Sequence, residues 1–191
     1  VITTQVGDAL PLPRRVAVNF VVKRVRKMVP AWHIPGRIPF RAALERGGGM
    51  RLREPELNRE DIALLQYTGG TTGTSKGAIL THGNLLANLL QANEWSEGIF
   101  EEGREVIITA LPLYHIFSLT LNCMLFTKLG GLNYLITNPR DMQGFVAELQ
   151  KTRFTVLSGV NTLFNGLLNT PGIERVDFRH VKFSIGGGAP I

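Results

Sequence analysis

The residues best suited to chemistry lie in one run, Gln66-Tyr67-Thr68-Gly69-Gly70-Thr71-Thr72-Gly73-Thr74-Ser75-Lys76-Gly77-Ala78. Its four glycines let the backbone approach an anion closely and aim N–H groups at it. Thr68, Thr71, Thr72, Thr74 and Ser75 add hydroxyl donors, and Lys76 adds a positive charge. Such a run can cradle a polyphosphate. Two better-known glycine motifs do not describe it. The Walker pattern needs Gly before the Lys and Ser or Thr after it, whereas here Ser75 precedes Lys76 and Gly77 comes after it. The dinucleotide pattern G-x-G-x-x-G has no match in the run either.

A second candidate is His115, in the segment Leu111-Pro112-Leu113-Tyr114-His115-Ile116-Phe117. A lone His beside apolar residues is usually a hydrogen-bonded core residue, so the segment around it carries the functional reading. Tyr114 and Phe117 are open between core and pocket. Lys76 is open between anion ligand and solvated surface. The single cysteine, Cys123, lies among Leu, Met and Phe and reads as an inert buried thiol.

The run from Tyr67 to Gly77 resembles the YTSGTTGxPKG signature of the adenylate-forming superfamily, which includes acyl-CoA synthetases, luciferases and peptide-synthetase adenylation domains. Gly69 stands where many members have Ser, and Ser75 where most have Pro; Ser75 should leave the loop less stiff. A plain polar hairpin would also use Gly and Thr, but this ordered string is followed by GAILTHGNL, residues 77–85. Three more segments resemble the family in the expected order. The segment around His115 is similar to LPxFH. Ser158-Gly159-Val160-Asn161-Thr162-Leu163 is similar to a GVPT segment, with Asn161 replacing Pro. Gly186-Gly187-Gly188-Ala189-Pro190 is similar to GGAPL. The YTGG variant, LPLYHIF and ITNPRD (residues 136–141) look most like bacterial long-chain fatty acid:CoA ligases.

The resemblance implies a two-step reaction, in which a fatty acid carboxylate attacks the α-phosphorus of ATP to give acyl-AMP and pyrophosphate, and the CoA thiol then displaces AMP. It assigns the loop from Tyr67 to Ala78 to the β and γ phosphates, with Lys76 assisting the chemistry and Thr68 the hydroxyl nearest Mg2+. It gives His115 the positioning of the carboxylate. Gly187, Gly188, Ala189 and Pro190 become a wall of the adenine site, and Phe117, Gly159 and Val160 line the acyl side. The aromatic-Gly-x-Thr-Glu segment, the ribose-binding Asp and the C-terminal domain with its catalytic Lys have no counterpart in the chain. The expectation is therefore an internal piece, inactive by itself. Rival readings are a fatty acyl-AMP ligase, a peptide-synthetase domain selecting an amino acid, and a non-catalytic module binding nucleotide, acyl chains or membrane.

The elements that must position these residues read as strand and helix in alternation. Strands are expected at 63–68, 78–80, 105–110, 132–136, 155–158 and 181–185, with helices at 84–97, 116–129, 141–152 and 162–168. This is an α/β pattern: part of the large N-terminal domain of the adenylate-forming fold, with a parallel-rich sheet flanked by helices. The chain has 191 residues, 44% hydrophobic and 19% charged, enough for a packed core. Pro35, Pro39, Pro55 and Gly47-Gly48-Gly49 mark a connector, which divides a partial N-terminal subdomain (1–60) from a nucleotide- and acyl-binding subdomain (61–191). The uncharged stretch 106–127 is long enough for a bilayer, but Pro112, His115 and Asn122 favour a buried strand followed by a buried helix.

The net charge of +6 is concentrated between Arg14 and Arg53, where eleven Lys or Arg residues face one acid, Glu45. Within it, residues 16–29 read as a basic amphipathic helix with Phe20, Val21, Val25, Met28 and Val29 on its apolar face. A solvated face, or attraction to an anionic membrane or acyl-CoA, fits this run; zinc-finger and RNA-binding signatures are absent, so nucleic acid is not expected. One cysteine suits a reducing compartment, which points to the cytoplasm, peripheral to the inner membrane face. Expected partners are fatty acid, ATP and CoA, and a homodimer is compatible with the sequence.

Overall fold

The computed structural model describes residues 1–68 and 76–188. The chain forms two compact units, Val1–Glu56 and Leu57–Ile191.

In the first unit, β1 (Ile2–Thr3) pairs in parallel with β2 (Ile38–Pro39). Helix α1 (Leu12–Phe20) starts after Pro11 and runs into a π-helical turn, Val21–Val25, in which the Arg26 N–H donates to the Val21 carbonyl at 2.8 Å. The helical run therefore begins and ends earlier than the 16–29 expected, and Lys27 leaves it at φ 48°. Helix α2 spans Phe40–Gly48. The buried carboxylate of Asp8 accepts from the Gln5 N–H at 2.8 Å, while Asn19 on α1 accepts from the Gly7 N–H at 2.8 Å, so this loop is tied to the helix. Neither α1 nor α2 buries a residue within the unit. Phe20, Val25 and Met28 are each more than half exposed.

The second unit carries the larger sheet. β5 (Val106–Thr109), β6 (Leu132–Leu135), β7 (Val156–Gly159) and β8 (Phe183–Gly186) form a parallel sheet in the order β6-β5-β7-β8. Successive residues of the central strands point to opposite faces. Ile108 and Leu157 pack with Phe145, Val146 and Leu149 of α6 (Met142–Lys151) and with Leu163 and Leu167 of α7 (Asn161–Leu168). Ile107 and Val156 pack on the other side with Leu125, Phe126 and Leu129, joined by Leu89 of α3 (His82–Trp95). Both faces are covered, which is why β5 reads as an unbroken apolar run rather than an alternation. The helix between β5 and β6 comprises α4 (Ile116–Ser118), a π-helical segment Leu119–Leu125 and α5 (Phe126–Lys128). No helix among the described residues is long and apolar enough to cross a membrane.

One expectation needs correction. β3 (Ile62–Thr68) and β4 (Lys76–Thr81) do not join the parallel sheet; they pair antiparallel as a sheet of their own. The seven residues between them are too few for a parallel crossover, which takes a dozen or more. Thr81 then caps α3, its hydroxyl accepting from the Asn84 N–H at 3.2 Å while the Asn84 side chain accepts from the Thr81 N–H at 3.0 Å.

An ion pair closes the amino-terminal end of the parallel sheet, beside the starts of β5 and β8. Glu105, whose side chain is 0% exposed, accepts from Lys182 Nζ at 2.8 Å and from the Glu101 N–H at 2.7 Å; Lys182 also reaches Glu101 at 2.9 Å. Burial pushes the Glu105 pKa up, but the Lys182 hydrogen bond and its other donors prevail, leaving it below the ordinary value. The Lys182 pKa is raised, chiefly by its bond to Glu105. A carboxylate depressed in the folded state adds stability above its unfolded pKa of about 4.3, and that stability is lost as pH falls through the folded value. Lys182→Met should lower stability at pH 7, because it leaves the buried Glu105 carboxylate without its cation. In that variant burial is opposed only by the Glu101 N–H and Thr155, so the Glu105 pKa should rise and the loss of stability in acid should shrink. Urea denaturation of wild type and variant at pH 7 and pH 4 measures both effects.

Candidate functional site

The two ends of the glycine-rich run are held in register by the hairpin, Tyr67 opposite Gly77 and Thr68 opposite Lys76. Gly69, Gly70, Thr71, Thr72, Gly73, Thr74 and Ser75 lie outside the described residues, as do Ala189 and Pro190. The hairpin and the anion cradle are thus not rival readings, because the strands of one deliver the ends of the other. The Tyr67 ring lies over Gly77, where an added Cβ would stand 3.2 Å from ring carbons, so a side chain there would require the ring to shift by a few tenths of an ångström. Lys76 is exposed and Ala78 lies two residues further along β4.

Gln66 links this hairpin to the His115 segment: its side-chain amide donates to the Tyr67 carbonyl at 3.3 Å and to the Tyr114 carbonyl at 3.4 Å. The segment itself is closed by Ser118, fully buried, whose hydroxyl donates to the Leu111 carbonyl at 3.1 Å. His115 caps α4, with Nδ1 accepting from the Phe117 N–H at 3.3 Å. A neutral ring bonded this way carries its proton on Nε2, which makes Nε2 a donor.

The carboxyl ends of β5, β7 and β8 bring the remaining candidates together. An added Cβ on Gly187 would stand 3.3 Å from the Phe117 ring, and one on Gly188 would stand 3.4 Å from His115 Cε1 and 4.0 Å from Val160. Gly188 has φ +77°, a conformation that favours glycine. The Gly187 N–H donates to the Gly159 carbonyl at 3.2 Å, and Gly159 itself lies against Phe164 and Leu163. His115, Phe117, Gly159, Val160, Gly187 and Gly188 therefore share one end of the sheet, the end at which open α/β sheets hold their ligands. A depression of about 270 Å³ lies elsewhere, between Tyr134, Ile136, Asp141, Phe145 and Glu148.

Among the described residues no group of three His, Cys, Asp or Glu could hold a metal. Tyr114 is exposed rather than core. Two groups here have only a faint signal in the sequence. Gln66 stands at the edge of the loop, in a position where any polar residue would suit a strand end. Asn122, 0% exposed, stands out in the sequence only as a residue unsuited to lipid, and a lone polar side chain in a buried helix is the signal that it has partners.

This constellation can be set beside known proteins. Residues 6–191 match the family described as AMP-binding enzyme. The whole chain is 54% identical to the long-chain-fatty-acid–CoA ligase of Escherichia coli, and over an aligned stretch of 194 residues 52% identical to that of Haemophilus influenzae. In both cases it spans 34% of the relative's length. The fold is also that of ATP-bound MatB from Rhodopseudomonas palustris, with TM-score 0.66 and 28% identity over 81% of this chain and 30% of that one. With the loop hairpin, the His115 segment and the Gly187-Gly188 turn gathered at one end of a parallel sheet, and with the family match running from residue 6 to the last, the chain belongs to the AMP-binding enzymes, the adenylate-forming group.

Proposed function

We propose that the chain is the nucleotide- and acyl-binding part of a long-chain fatty acid:CoA ligase. The observation that carries this reading is the meeting of His115 and Phe117 with Gly187 and Gly188, tied through Gln66 to the hairpin that holds the glycine-rich loop. In the first step a carboxylate oxygen forms a bond to the α-phosphorus of ATP, and the bond from that phosphorus to the bridging oxygen breaks, releasing pyrophosphate. Negative charge grows on the leaving group, and donors fixed around it lower the barrier. The residues from Tyr67 to Ala78 supply those donors, with Lys76 as the cation. His115 Nε2–H points the carboxylate, and Gly187 to Pro190 line the adenine. Phe117, Gly159 and Val160 sit on the acyl side. In the second step the CoA thiol attacks the acyl carbonyl and AMP leaves.

Mg2+ would arrive with the polyphosphate and offset its charge, with Thr68 as an oxygen donor nearby. A fatty acyl-AMP ligase would stop at the adenylate, so the product formed with CoA present separates the two enzymes. In the full-length protein, Thr68→Ala and Lys76→Ala should each weaken fatty-acid-dependent ATP–pyrophosphate exchange by about 1–3 kcal/mol, the worth of a charge-assisted hydrogen bond. Unchanged exchange in both would remove the phosphate assignment.

The first unit supports a location at the inner membrane face, within the cytoplasm. Among the described residues its eleven Lys and Arg form no ion pair within the unit, and Phe20, Val25 and Met28 are exposed beside Lys23, Arg24, Arg26 and Lys27. Each basic residue near an anionic surface contributes about 1 kcal/mol. Salt-sensitive binding to phosphatidylserine-containing vesicles is the expected result, reduced when those four residues are changed to Gln. Equal sedimentation of wild type and the fourfold variant at low salt would show an ordinary solvated face.

A further inference from the structure

The π-helical segment Leu119–Leu125 has Asn122 at its centre, and Asn122 is the polar side chain of that segment that enters the sheet. Its Nδ2 donates to Thr109 Oγ1 at 3.0 Å and to Ser158 Oγ at 2.8 Å, while Oδ1 lies 3.1 Å from the Ser158 hydroxyl. Thr109 passes its own proton to Asn133 Oδ1 at 2.7 Å. The donors run in one direction, from the helix to β5 to β6, and both amide protons of Asn122 are used. Asn122 and Ser158 are 0% exposed and Thr109 is 3% exposed. Thr109 is the last residue of β5, and Ser158 is followed by Gly159 and Val160, so the bonds fall directly beneath the strand ends that carry the site.

A π-turn accommodates an extra residue in the helix and changes the angular offset between the residues on its two sides. On the amino-terminal side of this turn stand His115, Ile116 and Phe117, closed onto Leu111 by Ser118. An amide that must meet β5 and β7 together fixes both the rotation and the height of this helix above the sheet.

We propose that Asn122 is a positioning residue: through Thr109 and Ser158 it holds His115 and Phe117 against Gly187 and Gly188, in the geometry that adenylate formation requires. The proposal rests on the functional reading above. Asn122 touches no reacting atom. Replacing it by an apolar residue of similar size leaves two buried hydroxyl groups short of a donor, and the helix can then relax toward regular α geometry. Displacing a positioning element by about 1 Å can cost a factor of 10² in rate. Gly187 is fixed to β7 by its own bond to the Gly159 carbonyl, and the ends of the glycine-rich loop are held by β3 and β4, so the defect should fall more on the carboxylic acid than on ATP.

The test uses the full-length protein with Asn122→Leu and Ser158→Ala, and with Leu149→Ala as a packing control on the opposite face of the sheet. All three should lower the melting temperature. Per folded molecule, Asn122→Leu should lower kcat/KM for fatty acid in pyrophosphate exchange by roughly ten- to a hundredfold, with a smaller change in KM for ATP. Ser158→Ala should lower it less, and the double variant should fall short of the sum, because both remove one bond. Leu149→Ala should keep wild-type kcat/KM. Hydrogen exchange supplies a readout independent of turnover: the amides of His115 to Leu119 should exchange faster in Asn122→Leu and not in Leu149→Ala. Equal kinetics and equal exchange in Asn122→Leu and Leu149→Ala would overturn the positioning role while leaving the ligase reading intact. Absence of fatty-acid-dependent exchange in the wild type would overturn the ligase reading instead, and amide exchange alone would then decide whether Asn122 holds the segment.

Discussion

The second unit depends on two four-residue strands, β5 and β7, lying side by side with both faces buried. Ile107 and Val156 serve one layer of helices, and Ile108 and Leu157 serve the other. Water is excluded from both sides, so every backbone group in these strands must find its partner in the sheet. Parallel pairing then places all four carboxyl ends at the same edge. The segments leaving those ends cannot stay apart, and the ones that leave β5, β7 and β8 carry His115, Val160 and Gly187.

Polar groups inside this layer are sorted by charge along the strands. The Glu105–Lys182 pair sits where β5 and β8 begin, at the amino-terminal edge. Beneath the carboxyl ends the buried polar groups are neutral: Thr109, Asn122, Ser158 and Ser118. A carboxylate buried under the site would repel a polyphosphate or an acyl carboxylate in a medium that screens charge poorly. Hydroxyl and amide groups hold the helix and strands together without that repulsion. Glycine completes the arrangement from above, since a side chain at Gly187 or Gly188 would meet Phe117 or His115.

The first unit obeys different physics. It is small, and a chain of this size buries too little surface to hide its apolar residues unaided. Its tie points are polar, Asp8 with Gln5 and Asn19 with Gly7, and its cations make no ion pair among the described residues. It offers a basic surface studded with apolar side chains. The parallel sheet of the second unit offers a shaped edge.

Sequence alone determined the order and kind of the elements, because period-2 and period-3.6 patterns and turn residues are local. The strand at 106–109 and the helix at 142–151 fall inside the expected spans. It also determined the family, since the ordered strings around Lys76, His115 and Gly187 are chemical requirements written in residue type. Pairing was decided by tertiary structure. The apolar runs at 62–68 and 76–81 suit either kind of sheet by residue type, and only the hydrogen bonding of the fold sets them antiparallel in a sheet apart from the four parallel strands. Tertiary structure also decided the partners of Asn122. Thr109 and Ser158 lie 13 and 36 residues away in the chain, and only the packing of a helix onto two adjacent strands brings their hydroxyls within reach of one amide.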